Sequence, residues 1–290
     1  MRLVVIGDLN LDVAAPSPHP EILGGEARSA IRAEIGGSAA TFARWAAKLG
    51  ADVVFLGCVG NDAVGDLLVQ SLAEDGVEAR VTRNSRPSGV VIALWEGEKR
   101  TMICSRGAND GLDGTAIVES AFRGANHVHL SGYTFLSSAQ RPVAHRAIRL
   151  GRRMGCTVSV DPPPATLIRS SGVGRFASDL QGVDWMLPNL EEGRLLAGVS
   201  RPGAIVDVLA SRFAAGALTL GEGGAVAWRG GERSTRPCPG IVRIDPTGAG
   251  DAYAAAFVVA LLRGASVDES NRRAVATSRA HLMARAAAWG

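Results

Sequence analysis

The chain has 290 residues, 47% of them hydrophobic and 20% charged, with a formal net charge of +3. This is the make-up of a soluble globular protein, long enough for one large α/β domain or two smaller ones. Nearly all the positive charge is arginine, scattered in short pairs such as Arg152-Arg153 and Arg272-Arg273, which excludes a basic block for nucleic acid or a membrane surface.

Cys58, Cys104, Cys156 and Cys238 lie far apart, with neither Cys-x-x-Cys nor zinc spacing, and read as reduced thiols. No apolar run reaches the ~18 residues of a spanning helix, and the opening run Leu3–Ile6 is too short for a signal peptide. A cytoplasmic protein is the expectation.

Leu3 to Ile6, ending at Gly7-Asp8, reads as a buried parallel strand. Asp12 follows just beyond its carboxyl end, where open α/β sheets bind ligands. Pro16 to Pro20 is turn-rich, and Gly24 to Ile35 suggests a short strand pair. Gly36-Gly37-Ser38-Ala39-Ala40-Thr41 opens a helix that stops at Gly50. Val53 to Gly57 is the next strand, and Asn61-Asp62 leads a helix to Asp75-Gly76. This rhythm implies a parallel sheet with right-handed crossovers. From Val77 to Arg106 the pattern changes to a hairpin, Gly89–Trp95 and Arg100–Cys104 around Glu96-Gly97-Glu98-Lys99. Paired with Gly24–Ile35, it would form a small sheet that excludes water from a site. The rhythm then resumes with strands at His127–Gly132, Thr157–Asp161, Trp185–Asn189 and Ala217–Gly221, and a hairpin partner at Ala225–Trp228. Gln140 to Met154 is helical, and a last helix spans about Glu269 to Ala288. His127, His129 and His145 read as structural.

The chemistry concentrates in Ile244-Asp245-Pro246-Thr247-Gly248-Ala249-Gly250-Asp251. Pro246 fixes its own φ and pushes Asp245 toward an extended conformation. Gly248-Ala249-Gly250 lets the backbone approach a ligand closely. The Ala/Leu/Val-rich run from Gly250 to Arg263 forms a helix with Gly264 as its stop. Its first N–H groups have no intrahelical partner and carry the positive dipole end, an anion site. Asp251 stands in that first turn. A carboxylate beside a bound phosphate suits a general base for a hydroxyl. The bland alternative is an acidic residue that merely suits a helix start. No Walker A is present, since neither lysine follows glycine, and Gly221-Glu222-Gly223 lacks the third glycine of a dinucleotide fingerprint.

Asp-Pro-Thr-Gly-Ala-Gly-Asp entering an Ala-rich helix closely resembles the C-terminal signature of the ribokinase-like (PfkB-type) carbohydrate kinases. The resemblance covers essentially the whole chain in order. It implies one ribokinase-like α/β domain over 1–290, a mostly parallel central sheet with helices on both faces, and a small β lid from segments near 12–35 and 79–107. It implies ATP-dependent phosphorylation of a hydroxymethyl group on a sugar or sugar-like substrate. Asp251 would be the base and Gly248, Ala249 and Gly250 the anion hole.

Gly36-Gly37 and Thr41 resemble the first signature and would face substrate with Asp12, whose carboxylate can accept two hydroxyls. Outside the family a loop cap would explain Asp12. Thr41 departs from the family's usual Asn and leaves the sugar open. Asn109, in Gly-Ala-Asn, would close the lid hairpin and join the substrate residues. Asn189 and Glu192 resemble the Asn-x-x-Glu that holds water around Mg²⁺; the same residues suit a helix cap. Thr219, Gly221 and Gly224 resemble the strand end that lines ATP, with Thr247, Gly248, Gly250, Asn189 and, in the adenine region, Ala276. Asp245 would help bind a monovalent cation such as K⁺. A nucleoside substrate, stacked on Phe42 or Trp95, and a catalytically silent sugar-binding or regulatory protein are the alternatives. The family's lids often pair, so a homodimer through the lid is expected.

Overall fold

Leu3, Val4, Val5 and Ile6 have no solvent exposure, because their strand β1 (Arg2–Ile6) is covered on both faces. A computed structural model describes residues 1–16, 30–96, 99–238 and 245–289. In chain order these form β1, β2 (Asn10–Pro16), β3 (Arg32–Gly36), α1 (Ser38–Lys48), β4 (Asp52–Gly60), α2 (Ala63–Glu74), β5 (Val77–Asn84), β6 (Gly89–Glu96) and β7 (Lys99–Ser105). Then come α3 (Glu119–Phe122), β8 (Ala125–Ser131), α4 (Arg141–Arg153), β9 (Thr157–Asp161), α5 (Ala165–Ser171), α6 (Val173–Asp179), β10 (Trp185–Met186), α7 (Leu190–Ala197) and α8 (Pro202–Ala210). The chain closes with β11 (Ala215–Thr219), β12 (Ala225–Arg229), β13 (Glu232–Arg236), α9 (Ala249–Leu262) and α10 (Val267–Trp289).

Nine strands make one sheet in the order β13-β12-β11-β10-β9-β8-β1-β4-β5. Every pair from β11 to β5 is parallel, and β12 and β13 add an antiparallel edge. Side chains alternate across it. Val4, Ile6, Val128, Leu130, Val158 and Val160 face one apolar layer with Ile148, Phe176 and Leu209. Leu3, Val5, Val53 and Phe55 face the other, with Phe42 and Phe257. Helix α9 is buried along almost its whole length and packs against α1 and α10. No helix among the described residues is long and apolar enough to cross a membrane.

A second sheet, β3-β2-β6-β7, stands over the carboxyl ends of these strands. The hairpin β6–β7 forms as the alternation predicts, and β2 joins it by pairing parallel to β6 and antiparallel to β3. Val77–Asn84 departs from the expected lid segment: it runs parallel to β4 at the edge of the large sheet. Residues 17–29 fall outside the described residues, and with them most of the Pro16–Pro20 turn and half of the Gly24–Ile35 pair. So do Gly97-Glu98 and Ile244.

Candidate active site

The carboxyl ends of the parallel strands converge on the start of α9. Pro246 and Thr247 turn the chain, and Gly248 takes φ 79°, the left-handed region. A Cβ at Gly248 would lie 2.9 Å from His281 Nε2 and 3.2 Å from Thr41 Cγ2, so glycine is required for space as well as for conformation. No side chain caps α9. The Ala249 N–H donates to Pro246 O at 3.1 Å.

Asp251 follows in the first turn and accepts a 2.7 Å hydrogen bond from Ser38 Oγ at the start of α1. It shares a further hydrogen bond with Asp161, from the end of β9. Burial raises Asp251 to about 6, and the bonds from Ser38 and Asp161 hold it from going higher. Asp161 is driven well above the usual carboxylate range, first by burial and then by the charges of Asp251 and Glu192. The pair therefore shares a proton, with Asp161 the protonated member. Glu192 is pushed up to about 8, chiefly by burial, against hydrogen bonds from Asn189 that favour its charge.

These residues line one cavity of about 160 Å³, together with Tyr133, Thr219 and Gly250. Asn189 and Glu192 stand in it as a reciprocal cap of α7. Asn189 Oδ1 accepts from Glu192 N at 3.0 Å, and Glu192 Oε2 accepts from Asn189 N at 2.9 Å. Among the described residues no three His, Cys, Asp or Glu side chains are placed to hold a metal directly.

A second cavity, about 330 Å³, opens on the other side of Gly248. Asp12, Gly36 and Thr41 line it with Thr247, and α10 adds His281 and Arg285. Gly36 is glycine because a Cβ there would sit 2.0 Å from Asp12 Oδ2. Among the described residues Asp12 Oδ1 is buried without a hydrogen-bond partner. Burial raises Asp12 to about 7; Arg285 pulls it down while Glu34, Asp245 and Asp251 push it up. A buried acceptor of this kind is completed by a donor such as a ligand hydroxyl.

Asn109 stands apart from both cavities. It is 2% exposed, accepts from Leu9 N at 3.0 Å and donates to Asn10 Oδ1 at 2.7 Å, so it braces the corner between β1 and β2. Beside it Arg106 grips buried Asp8 at 2.7 and 3.1 Å. Gly221 and Gly224 shape the turn after β11, where a Cβ on Gly224 would strike Arg236 O at 1.9 Å. Ala276 is exposed on α10. Phe42 is fully buried and stacked on His129 at 3.6 Å between ring centres, which removes it as a base-stacking ring. The Trp95 side chain falls outside the described residues.

Sequence reasoning missed Ser38, Asp161, His281 and Arg285. Asp161 carried one usable signal: it ends a strand whose neighbours also end in site residues. His281 is tied on both nitrogens. Trp45 Nε1 donates to its Nδ1 at 3.2 Å, which leaves the proton on Nε2 for Thr247 O at 2.7 Å.

The pfkB family carbohydrate kinase pattern matches residues 1–287. The 2-dehydro-3-deoxygluconokinase of Bacillus subtilis is 29% identical over 239 residues, 78% of this chain and 74% of that protein. The ribokinase of Haemophilus influenzae is 26% identical over 289 residues, 93% of this chain and 88% of its own. Among solved structures, the fold is that of the adenosine kinase of Sinorhizobium meliloti (TM-score 0.85, 21% identity, 95% and 92% of the two chains). It is also that of the 2-dehydro-3-deoxygluconokinase of Thermotoga maritima (TM-score 0.84, 21% identity, 97% and 94%). A pattern that runs from the first strand to the last helix, on a nine-stranded sheet whose strand ends meet at Asp251, places the chain in the pfkB family of carbohydrate kinases.

Proposed function

We propose that this protein transfers the γ-phosphoryl group of ATP to a hydroxymethyl group of a sugar or sugar-like substrate, with 1–290 acting as one domain. The observation that carries this reading is Asp251 itself. It is a desolvated carboxylate at a helix start with no side-chain cap, facing a cavity that Gly250 and Thr219 also line.

In this mechanism Asp12 and the Gly36–Thr41 turn orient the acceptor. Asp251 Oδ takes the proton of its hydroxyl, and Ser38 Oγ–H holds that carboxylate in place. The amides of Gly248, Ala249 and Gly250 stabilise charge on the transferring group. At Ala249 this competes with the bond to Pro246 O. Asn189, Thr219, Gly221, Gly224, Thr247 and Ala276 are the ATP-facing residues of this reading. Asp161, Glu192 and Asp251 are not placed to hold a metal directly, but three crowded carboxyl groups, each raised by burial, would gain from a positive charge held nearby through water. Glu192 and Asn189 would hold Mg²⁺ through water, and the ion would offset phosphate charge.

The acceptor cavity also has the indole of Trp45 on its wall, beside the His281 ring, which favours a nucleoside as second reading. The outward face of the lid carries Ile92 opposite Ile103, 39% and 57% exposed. We read it as the contact of a homodimer, and sedimentation of an Ile103→Glu variant as monomer, against a dimeric wild type, tests that.

The deciding measurement is ADP release from Mg-ATP across pentoses, hexoses, sugar acids and nucleosides, with Asp251→Asn as control. A turnover lost in the control establishes the kinase and its substrate class together. Binding of ATP with silence across the panel would overturn the reading in favour of a regulatory protein.

A further inference from the structure

Helix α10 brings a guanidinium to the base of the anion-hole turn. Arg285 Nε donates to Asp245 Oδ2 at 3.0 Å, and Nη2 donates to the same oxygen. Asp245 Oδ1 accepts from Thr247 N at 3.0 Å and from the Thr247 hydroxyl. Both carboxylate oxygens therefore meet N–H or O–H donors. The pair is enclosed: the Asp245 side chain is 3% exposed and that of Arg285 is 14% exposed. Arg285 Nη1 reaches on to Glu34 Oε2 at 2.7 Å. Glu34 is the register partner of Asp12 across β2 and β3.

A carboxylate this buried needs a countercharge. The family resemblance anticipates a monovalent cation at Asp245. The donor set found here does not suit one. An alkali cation needs oxygens free to face it, and a permanent positive charge already touches Asp245 Oδ2, where a second cation would be repelled. The guanidinium also does what a sphere cannot: its fork joins the turn to the lid strand through Glu34.

We propose that Arg285 is the fixed counter-cation of the turn Asp245–Gly248, so that this protein works without an alkali cation. Arg285 is a positioning residue: it touches neither Asp251 nor the anion-hole amides, and it acts by holding Asp245 and thereby Thr247. Only the kinetic consequence rests on the kinase reading; the cation requirement of the fold does not.

The test is thermal unfolding in choline chloride and in potassium chloride at equal ionic strength, with no substrate present. The wild type melts at the same temperature in both salts, within about 1 °C. Arg285→Ala melts lower in choline and gains a saturable rise of several degrees specific to K⁺, the signature of a ligand bound only by the folded state. A wild type stabilised saturably by K⁺ overturns the proposal. An Arg285→Ala protein equally indifferent to K⁺ also overturns it, since the turn would then need no cation. Should that variant not fold, Arg285→Gln is read in the same way.

The kinetic arm uses whichever acceptor the panel yields. Wild-type rates agree within about twofold between the salts, whereas Arg285→Ala falls roughly tenfold in choline and recovers with K⁺ or guanidinium. If the wild type phosphorylates nothing in either salt, the kinase reading fails while the melting curves still decide the role of Arg285.

Discussion

Two helices begin at the same edge of the large sheet, facing the same cavity, and they treat their first turns in opposite ways. At α7, Asn189 and Glu192 close a reciprocal cap and the chain satisfies its own orphan N–H groups. At α9, Gly248 offers no side chain and no cap forms. The first turn of α7 is closed by side chains, and that of α9 is closed only by the backbone bond from Ala249 N to Pro246 O. The same contrast appears in the surroundings. Asn189 gives Glu192 hydrogen bonds that favour its charge. Asp251, with only Ser38 and the Asp161 pair, sits beside a turn held in shape from α10 by His281 and Arg285. In the kinase reading, the uncapped start of α9 is where a phosphate would bind, beside the closed cap of α7.

The largest effect that would break this comparison is at Asp251. Asp251→Asn keeps the size and the Ser38 contact but removes the proposed base. Turnover should fall by roughly 10²–10⁴-fold. The melting temperature should hold or rise, because a neutral amide replaces a carboxylate whose charge burial penalises. Wild-type turnover in this variant would mean that α9 is only a helix start. Next in size is Gly248→Ala. The left-handed conformation costs about 1–2 kcal/mol with a Cβ, and that Cβ meets His281 Nε2 at 2.9 Å. The expected result is a loss of turnover of roughly 10–100-fold with only a few degrees lost in melting. An unchanged rate would show that the shape of this turn does not matter.

Much of this was open to reading before any coordinates. Gly36-Gly37, Asp245 to Asp251 and the strand-helix rhythm are local features, fixed by glycine, proline and apolar periodicity. What stayed hidden depends on distant residues. The segment from Ala79 to Asn84 reads as lid because the strand-helix rhythm breaks at Val77 and the chain leads on into the hairpin. It is an edge strand of the main sheet, where one side meets water. The helices α5, α6 and α8 have 7, 7 and 9 residues, too few turns for a clear period. Arg285 lies 40 residues beyond Asp245 on a helix of unremarkable sequence, so only the fold reveals the pair. Asn109 is the reverse case: a motif position expected at substrate that the packing spends on Leu9 and Asn10.

A smaller effect sharpens the contrast from the α7 side. Asn189→Ala removes the cap and should cost about 1 kcal/mol of stability, read as a lowered melting temperature. In the kinase reading it should also raise the Mg²⁺ concentration needed for half-maximal rate, without the collapse expected at Asp251. Loss of turnover as deep as that of Asp251→Asn would place Asn189 in the chemistry and not beside it.

The smallest effect lies under α9, and it separates the two faces of the sheet. The face toward α1 and α9 carries His127 and His129 on β8, both fully buried. His127 bonds Thr157 and Ser159 at 2.7 Å, and His129 bonds Ser159 at 2.8 Å. Burial lowers His127 to about 3 and His129 well below its usual range. Both are neutral in the folded state, whereas the unfolded chain takes up protons below about pH 6.5. Their contribution to stability is therefore full above that pH and declines as pH falls, by up to about 1.4 kcal/mol per pH unit for each imidazole. The raised carboxyls of Asp12, Asp161, Glu192 and Asp251 take up protons in the folded state and act in the opposite sense. His129→Gln removes one imidazole's share, so relative to the wild type the variant should gain stability as pH falls from about 6.5 to 4.5, by up to about 1.4 kcal/mol per pH unit, whatever its effect at neutral pH. In the kinase reading activity should have its own acid limb as Asp251 protonates near 6, and that limb should survive in His129→Gln. If the variant keeps the wild-type slope, the imidazoles already reach solvent and the α9 face is less closed than its packing implies.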